Sequence, residues 1–363
     1  MNMKYGIITH YDVHNHGAIL QMNALVKVLE QRFKITAYVL QYTKNYDFLG
    51  CDKRDKYEFS IKSIKHYFDY LLSRGLRLFL FNIRKKIIFE KFKKDEKLIG
   101  EFYSKCKQLD GVVIGSDEVF ALHTGPTPAL FGYALPSDKV FSYAGSFGPT
   151  NLSDILSLHC IEFVKGGLSG LNGLGMRDQN SINIAEKLTG KKAWLNVDPV
   201  LLYGYEKELS QFKPINKKYI LVYAYETRMN NKDEYQNIIS FAHKKGLKVI
   251  CPGFYHKWAD KNVNVSPIEL LRWFKYAEYV ITDTFHGAVL SLITGREMAI
   301  KIRDNANKLK NLLMEYKLEH RIINDNWNLS DIFSSKLDMV KINEEIVSRR
   351  KTSMDYLKSM IEQ

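Results

Sequence analysis

Tyr279-Val-Ile-Thr-Asp-Thr-Phe-His-Gly-Ala-Val-Leu-Ser-Leu-Ile-Thr-Gly295 holds the change of period that decides the fold. Tyr279-Val280-Ile281 is a short β-branched run suited to a buried strand. Thr282, Asp283 and Thr284 favour a turn and a helix start, because their side chains bond nearby backbone. Gly287 to Ile293 then reads as a buried helix closing at Gly295. His286 therefore falls near a helix N-terminus, where free N–H groups and partial positive charge suit an anionic ligand. A histidine there can exchange protons near neutral pH. It also suits a plain capping role, and the spacing does not choose between the two.

The same alternation runs outward from this stretch. Lys4-Tyr-Gly-Ile-Ile-Thr-His10 is a first strand, Asn15 to Glu30 an amphipathic helix with Gly17 at its start, and Lys34 to Leu40 a second strand. No GxGxxG is present, so a dinucleotide site is not indicated. Asp110 to Phe120 is a buried strand ending in Gly-Ser-Asp, and ligand groups gather at such strand ends in open α/β sheets. Asp117 and Glu118 there can hold a sugar hydroxyl, accept a proton, or cap the next helix. Val140 to Gly148, Leu171 to Met176 and Ala193 to Val197 supply further strands. Arg177 follows one of them directly. It can clasp a carboxylate or phosphate through two parallel bonds, or pair with Asp178 or another neighbouring acid.

Tyr203 to Lys218 turns polar, with Gly204 and Pro214, and reads as a linker. A second series begins at Tyr219 to Ala224. It continues through a helix near Lys232–Lys245, a strand at Lys248–Cys251, a helix near Pro267–Tyr276, the opening stretch, a strand at Met298–Ile302 and a helix at Ala306–Tyr316. The implied boundaries are 1–203, a linker at 204–217, 218–335, and a terminal helix in 336–363.

The chain has 363 residues, 45% hydrophobic and 26% charged, as expected of a globular protein with two domains. No apolar run is long enough to span a membrane and no signal peptide is evident. The four cysteines, Cys51, Cys106, Cys160 and Cys251, are scattered without a CxxC pair, which disfavours zinc or a disulfide framework and fits a cytoplasmic protein. His10, His14 and His16 alternate in a presumed loop, a poor metal pattern, so no metal is expected. A formal charge of +13 attracts polyanions. It is concentrated in a basic, aromatic segment at about 44–107, where Arg84, Lys85, Lys86, Lys91, Lys93 and Lys94 interleave with Phe79, Phe81, Phe89 and Phe92. This fits two or more helices inserted into the first domain. They either pack their aromatics inward or meet anionic lipid at a membrane surface.

Asn15-His-Gly-Ala-Ile-Leu-Gln21, Ile114-Gly-Ser-Asp117, Ser142-Tyr-Ala-Gly-Ser-Phe-Gly148, Met176-Arg-Asp178, Val197-Asp-Pro-Val-Leu-Leu202 and Thr282-Asp-Thr-Phe-His-Gly287 occur in this order. Together they closely resemble the polysaccharide pyruvyl transferase family, over about residues 4–321. The resemblance implies two Rossmann-like α/β domains facing across a cleft, a glycosyltransferase-B-like fold. It implies transfer of the pyruvyl group of phosphoenolpyruvate to a sugar as a cyclic ketal. The acceptor would be a hexose such as galactose in a capsule or exopolysaccharide precursor. Phosphoenolpyruvate is then a co-substrate and no cofactor is expected.

On this resemblance His286 and Arg177 are the catalytic candidates. Some relatives carry Arg two residues before the histidine, where Thr284 stands here; Lys301, Arg303 and Lys308 are candidates to replace it. With Arg177 from the first domain, and His286, Thr284 and Gly287 from the second, they complete the expected donor side. Asn15, His16, Gly17, Gln21, Ser116, Asp117 and Glu118 form the expected acceptor side, in the first. Glu118 and Phe120 stand where many relatives have Gln and Trp. A lipid-diphosphate-linked oligosaccharide and peripheral membrane contact would suit the charge; nucleic acid is not expected. The rival readings are a nucleotide-sugar glycosyltransferase on the same scaffold and a non-catalytic polyanion- or glycan-binding protein.

Overall fold

The computed structural model describes residues 3–43, 75–303 and 307–362, apart from the side chain of residue 124. The first domain is a parallel sheet of β1 (Lys4–Ile8), β2 (Thr36–Gln41), β3 (Ile99–Phe102), β4 (Gly111–Ile114), β5 (Val140–Gly145), β6 (Gly173–Met176) and β7 (Ala193–Leu195), in spatial order 3-2-1-4-5-6-7. The second has β8 (Tyr219–Tyr223), β9 (Lys248–Pro252), β10 (Lys261–Val263), β11 (Tyr279–Thr282) and β12 (Met298–Ile300), also parallel, in order 10-9-8-11-12. Their central strands are apolar throughout, as in Tyr219-Ile-Leu-Val-Tyr223, because both sheet faces are covered. Strand order reverses between β1 and β4 and between β8 and β11. At such a switch point the loops from the strands' carboxyl ends part and leave a crevice. His10 to Asn15 and Gly115 to Glu118 leave the first. Ala224 to Arg228 and Asp283 to His286 leave the second.

The opening stretch folds as its sequence suggests. Thr284 caps the helix Phe285–Thr294, its Oγ1 accepting from Gly287 N–H at 2.9 Å, and Gly295 ends it in the left-handed region at φ 62°. Gly287 has no room for a side chain, since a β-carbon would overlap the Thr282 and Thr284 hydroxyls.

Tertiary packing corrects several expectations. The helix His16–Phe33 is not amphipathic in its setting; it lies between the two domains and is buried on nearly every side of its first four turns. Its buried polar residues have specific partners: Gln21 accepts from Ser116 Oγ at 2.8 Å, and Asn23 donates to Glu96 at 3.0 Å. The basic segment is not wholly an insertion. Ile99–Phe102 within it is the sheet's outermost strand, so the helix Leu76–Asp95 belongs to the crossover from β2 to β3, which parallel strands require. The further helix expected in 44–74, and Cys51, lie outside the described residues. The linker contains a helix, Glu206–Gln211, and β10 was not legible in the sequence. The terminal helix Met339–Glu362 returns to the first domain. Tyr356 OH donates to Ser142 O at 2.8 Å, and Ser353 Oγ accepts from Val197 N–H at 3.0 Å.

Candidate active site

The two switch points open onto one cleft of about 320 Å³. The first domain contributes Asn15 and Glu118. The second contributes Tyr225, Arg228, Asp283, Thr284, His286, Arg303 and Lys308. Asn15 places its Oδ1 on Gly17 N–H at 2.8 Å and its Nδ2 on Tyr225 OH at 3.0 Å, so the cap of one domain's helix is also a bond to the other domain.

Asp198 is the centre of the wall behind. It is 1% exposed, and its Oδ2 accepts from Arg177 Nη1 at 3.0 Å. The same oxygen lies 3.6 Å from His286 Nε2, an ion-pair distance just beyond hydrogen-bond reach. Asp198 Oδ1 accepts from Val200 N–H at 2.9 Å, which caps the helix Pro199–Tyr203. Burial alone would raise this carboxyl's pKa, yet His286 and Arg177 hold it below the usual range. Arg177 and His286, far apart in sequence and in different domains, thus converge on one oxygen. Gly17 permits the approach, since a β-carbon there would overlap Cγ and Nδ1 of the His286 ring.

Arg177 does not line the cleft. It is 4% exposed and packs its guanidinium 4.7 Å from the Phe285 ring centre. Besides Asp198 it donates to Asp117 Oδ1 at 2.9 Å and to Gln21 Oε1 at 3.3 Å. Of the readings open in the sequence, pairing with acids is the one seen, but not with Asp178. That residue accepts from Ser181 N–H at 2.8 Å as a helix cap. Gln21 and Ser116 are likewise buried behind the wall.

Lys308 Nζ crosses the cleft, 3.3 Å from Asp117 Oδ1 and 2.7 Å from Glu118 Oε1. Burial would raise the Asp117 pKa, but Lys308 and Arg177 hold it well below the carboxylate range. Asp117 sits at φ 80°, a backbone conformation unfavourable for a residue with a side chain, and these two cations help fix it there.

Other expected site residues are placed differently. Lys301 turns away: Ile300, the last residue of β12, bridges to Ile322, and Lys301 Nζ lies beside the chain that follows, 3.3 Å from Asn324 O and 3.4 Å from Asp325 Oδ1. Arg303 lines the cleft but is held by Asp283 at 3.1 Å and Glu234 at 2.6 Å. The Gly287 N–H that would face an anion is already bonded to Thr284. His16 is fully buried, 3.0 Å from Val265 O, and burial together with Lys85 pushes its pKa down to about 3, so it is neutral. His10 Nε2 faces Glu118 O and His14 Nε2 lies 3.5 Å from Glu90 Oε1, so the ring nitrogens of the three histidines have different partners, although His14 and His16 both pack on Phe89.

Two residues were missed in the sequence. Asp198 had a signal, the Asp-Pro pair in Val197 to Leu202, which reads equally well as a plain cap. Arg228 had none, since its loop carries no motif. Its side chain is 39% exposed and stands 4.9 Å from the Tyr225 ring centre; its Nη1 donates to Asp283 O at 3.5 Å and lies 3.9 Å from the Asp283 carboxylate.

Two parallel sheets meeting at their switch points define a glycosyltransferase-B-like α/β protein. Similar solved structures share that architecture. UDP-GlcNAc 2-epimerase from Methanocaldococcus jannaschii is 14% identical, with 93% of each chain covered and a TM-score of 0.51. UDP-N-acetylglucosamine 2-epimerase from Rickettsia bellii is 10% identical, with 100% of this chain and 98% of that one covered and a TM-score of 0.50. At such identities the likeness is one of fold alone. Comparison with curated protein sequences finds no match. The chain belongs to the polysaccharide pyruvyl transferase family, whose model matches residues 15–300, a span that includes every residue of the Asp198 cluster. It is a transferase of polysaccharide biosynthesis.

Proposed function

We propose that this transferase moves the pyruvyl group of phosphoenolpyruvate onto two hydroxyls of a hexose, such as a galactose unit in a polysaccharide precursor, and releases phosphate. The observation behind this is the joining of His286 to Arg177 through Asp198, beside a cleft edged with cations. A small guest bearing a carboxylate and a phosphate needs such cations, placed before it arrives.

A proton is added to the methylene carbon of phosphoenolpyruvate and becomes part of a methyl group. The central carbon gains oxocarbenium character and a sugar hydroxyl bonds to it. The bond to phosphate oxygen breaks, and the second hydroxyl closes the ring. Two hydroxyl protons are lost: one balances the new C–H bond and the other leaves with phosphate.

His286 is the group that moves these protons in the cleft. Its Nε2 is turned to Asp198, and the Cγ–Nδ1 edge of the ring packs on Gly17. Asp198 orients the ring, and Arg177 holds Asp198 in place, keeps it ionised and offsets its charge. Asn15 and Glu118 offer hydrogen bonds to acceptor hydroxyls from the opposite wall. Incubating the enzyme with phosphoenolpyruvate and galactosides, then weighing the products, tests the whole. A pyruvate ketal and equimolar phosphate are expected. Transfer from a UDP-sugar with phosphoenolpyruvate inert would overturn it.

Arg228 supplies the donor's outer anionic contact on this account, because the other cleft cations are tied to nearer carboxylates. A charge-assisted hydrogen bond is worth about 1.5–3 kcal/mol. Arg228→Ala should therefore raise the KM for phosphoenolpyruvate roughly 10- to 150-fold, with the acceptor KM little changed. An unchanged donor KM would remove Arg228 from the site. Gly17→Ala should leave the helix intact and push the His286 ring aside, lowering kcat by about 100-fold, the typical effect of a displacement near 1 Å. Unaltered kcat would show that the ring's position is not critical.

A further inference from the structure

The helix Leu76–Asp95 is apolar on two opposite faces. Leu78, Phe81, Phe89 and Phe92 are buried against the protein. Leu76, Leu80, Ile83 and Ile87, spaced i, i+4, i+7 and i+11, form a second stripe that faces outward, with exposures of 59%, 45%, 42% and 61%. Arg77, Arg84, Lys91 and Lys94 are exposed alongside it, and Glu90 on the same side is paired with Lys93 at 2.7 Å. An apolar stripe with a cationic margin is how a helix lies in a bilayer interface, its aliphatic side chains among acyl chains and its cations on anionic headgroups.

The helix also stands beside the cleft. Phe81 O accepts from Asn264 at 2.9 Å, Asn82 donates to Glu226 at 3.3 Å, and Lys85 Nζ lies 4.3 Å from the ring centre of Phe254, a residue of the cleft wall. We propose that this outward face docks the protein on a membrane surface rich in anionic lipid, bringing the cleft to acceptors presented there. A second copy is a poor occupant, because the two cationic margins would repel each other. A nucleic acid has no use for the aliphatic stripe.

The test is sedimentation of the full-length protein with vesicles of phosphatidylcholine alone or mixed with phosphatidylglycerol, at low and high salt. Binding to the mixed vesicles only, weakened by salt, is expected. A basic residue near an anionic surface is worth about 1 kcal/mol, or about fivefold in affinity. Arg84→Ala with Lys91→Ala and Lys94→Ala should then weaken binding on the order of 100-fold. Ile83→Glu with Ile87→Glu should weaken it comparably. Both variants should keep the parent's circular dichroism and melting temperature, since every replaced side chain is exposed. Failure of the parent to bind mixed vesicles overturns the proposal, as does undiminished binding by both variants. So does a parent dimer that Ile83→Glu dissociates, which would make the stripe a self-association surface. None of these results depends on the identity of the donor substrate.

Discussion

His286→Ala should reduce kcat for phosphate release by about 100- to 10,000-fold, the range typical of a lost proton-transfer group. Folding should survive. The ring is at the cleft wall rather than in a hydrophobic core, and among the described residues its Nε2 has no hydrogen-bond partner, Asp198 lying 3.6 Å away. Donor binding should change little, because Arg228 and the other cations remain. Steady-state kinetics with a circular-dichroism spectrum separates these effects. A variant that turns over at near the parent's rate would mean that the His286 ring only packs on Gly17 at the cleft wall and that another group carries the proton.

Asp198→Asn should have the next largest effect, and on two quantities. The neutral amide no longer favours the His286 ring orientation or stabilises its protonated form, so kcat should fall about 100-fold or more. In a His286→Ala background the same change should add little, because Asp198 acts through that ring. Stability should fall by about 2–3 kcal/mol. That is below the ~3–5 kcal/mol usual when a buried charge loses its partner, since Asp117 and Gln21 still hold Arg177.

The stability loss should depend on pH in a defined sense. Asp198 titrates lower in the folded chain than the unfolded value of about 3.9. Its contribution is therefore complete above that value and disappears as pH falls through the folded one. Urea midpoints of parent and variant should differ at neutral pH and converge below about pH 4. A gap that stayed constant across that range would show that the charge of Asp198 is not what stabilises the fold.

Much of the architecture was legible because the signals are local. Tyr219-Ile-Leu-Val-Tyr223 and Tyr279-Val-Ile can be little else but covered strands, and Gly295 marks its helix end by needing a left-handed backbone. Edge elements were harder. Ile99-Gly-Glu-Phe102 and Lys261-Asn-Val263 are short and only partly covered, so their composition matches that of loops. The outward stripe of Leu76–Asp95 was hidden for a related reason. A helix with apolar residues on two faces looks, in sequence, like one that is simply buried.

The candidate site divides along the same line. Sequence by itself determined that His286 stands at a strand-to-helix turn and Arg177 at another, because each position follows from neighbours within a few residues. Only the tertiary structure decided what those side chains face. Arg177 turned inward to Asp117 and Asp198, Lys301 turned away, and Arg228 came to the cleft unannounced. The physical reason is range. Backbone preference acts over one or two turns of chain, whereas a guanidinium is settled by whichever carboxylate the packing of two sheets leaves within about 3 Å of it.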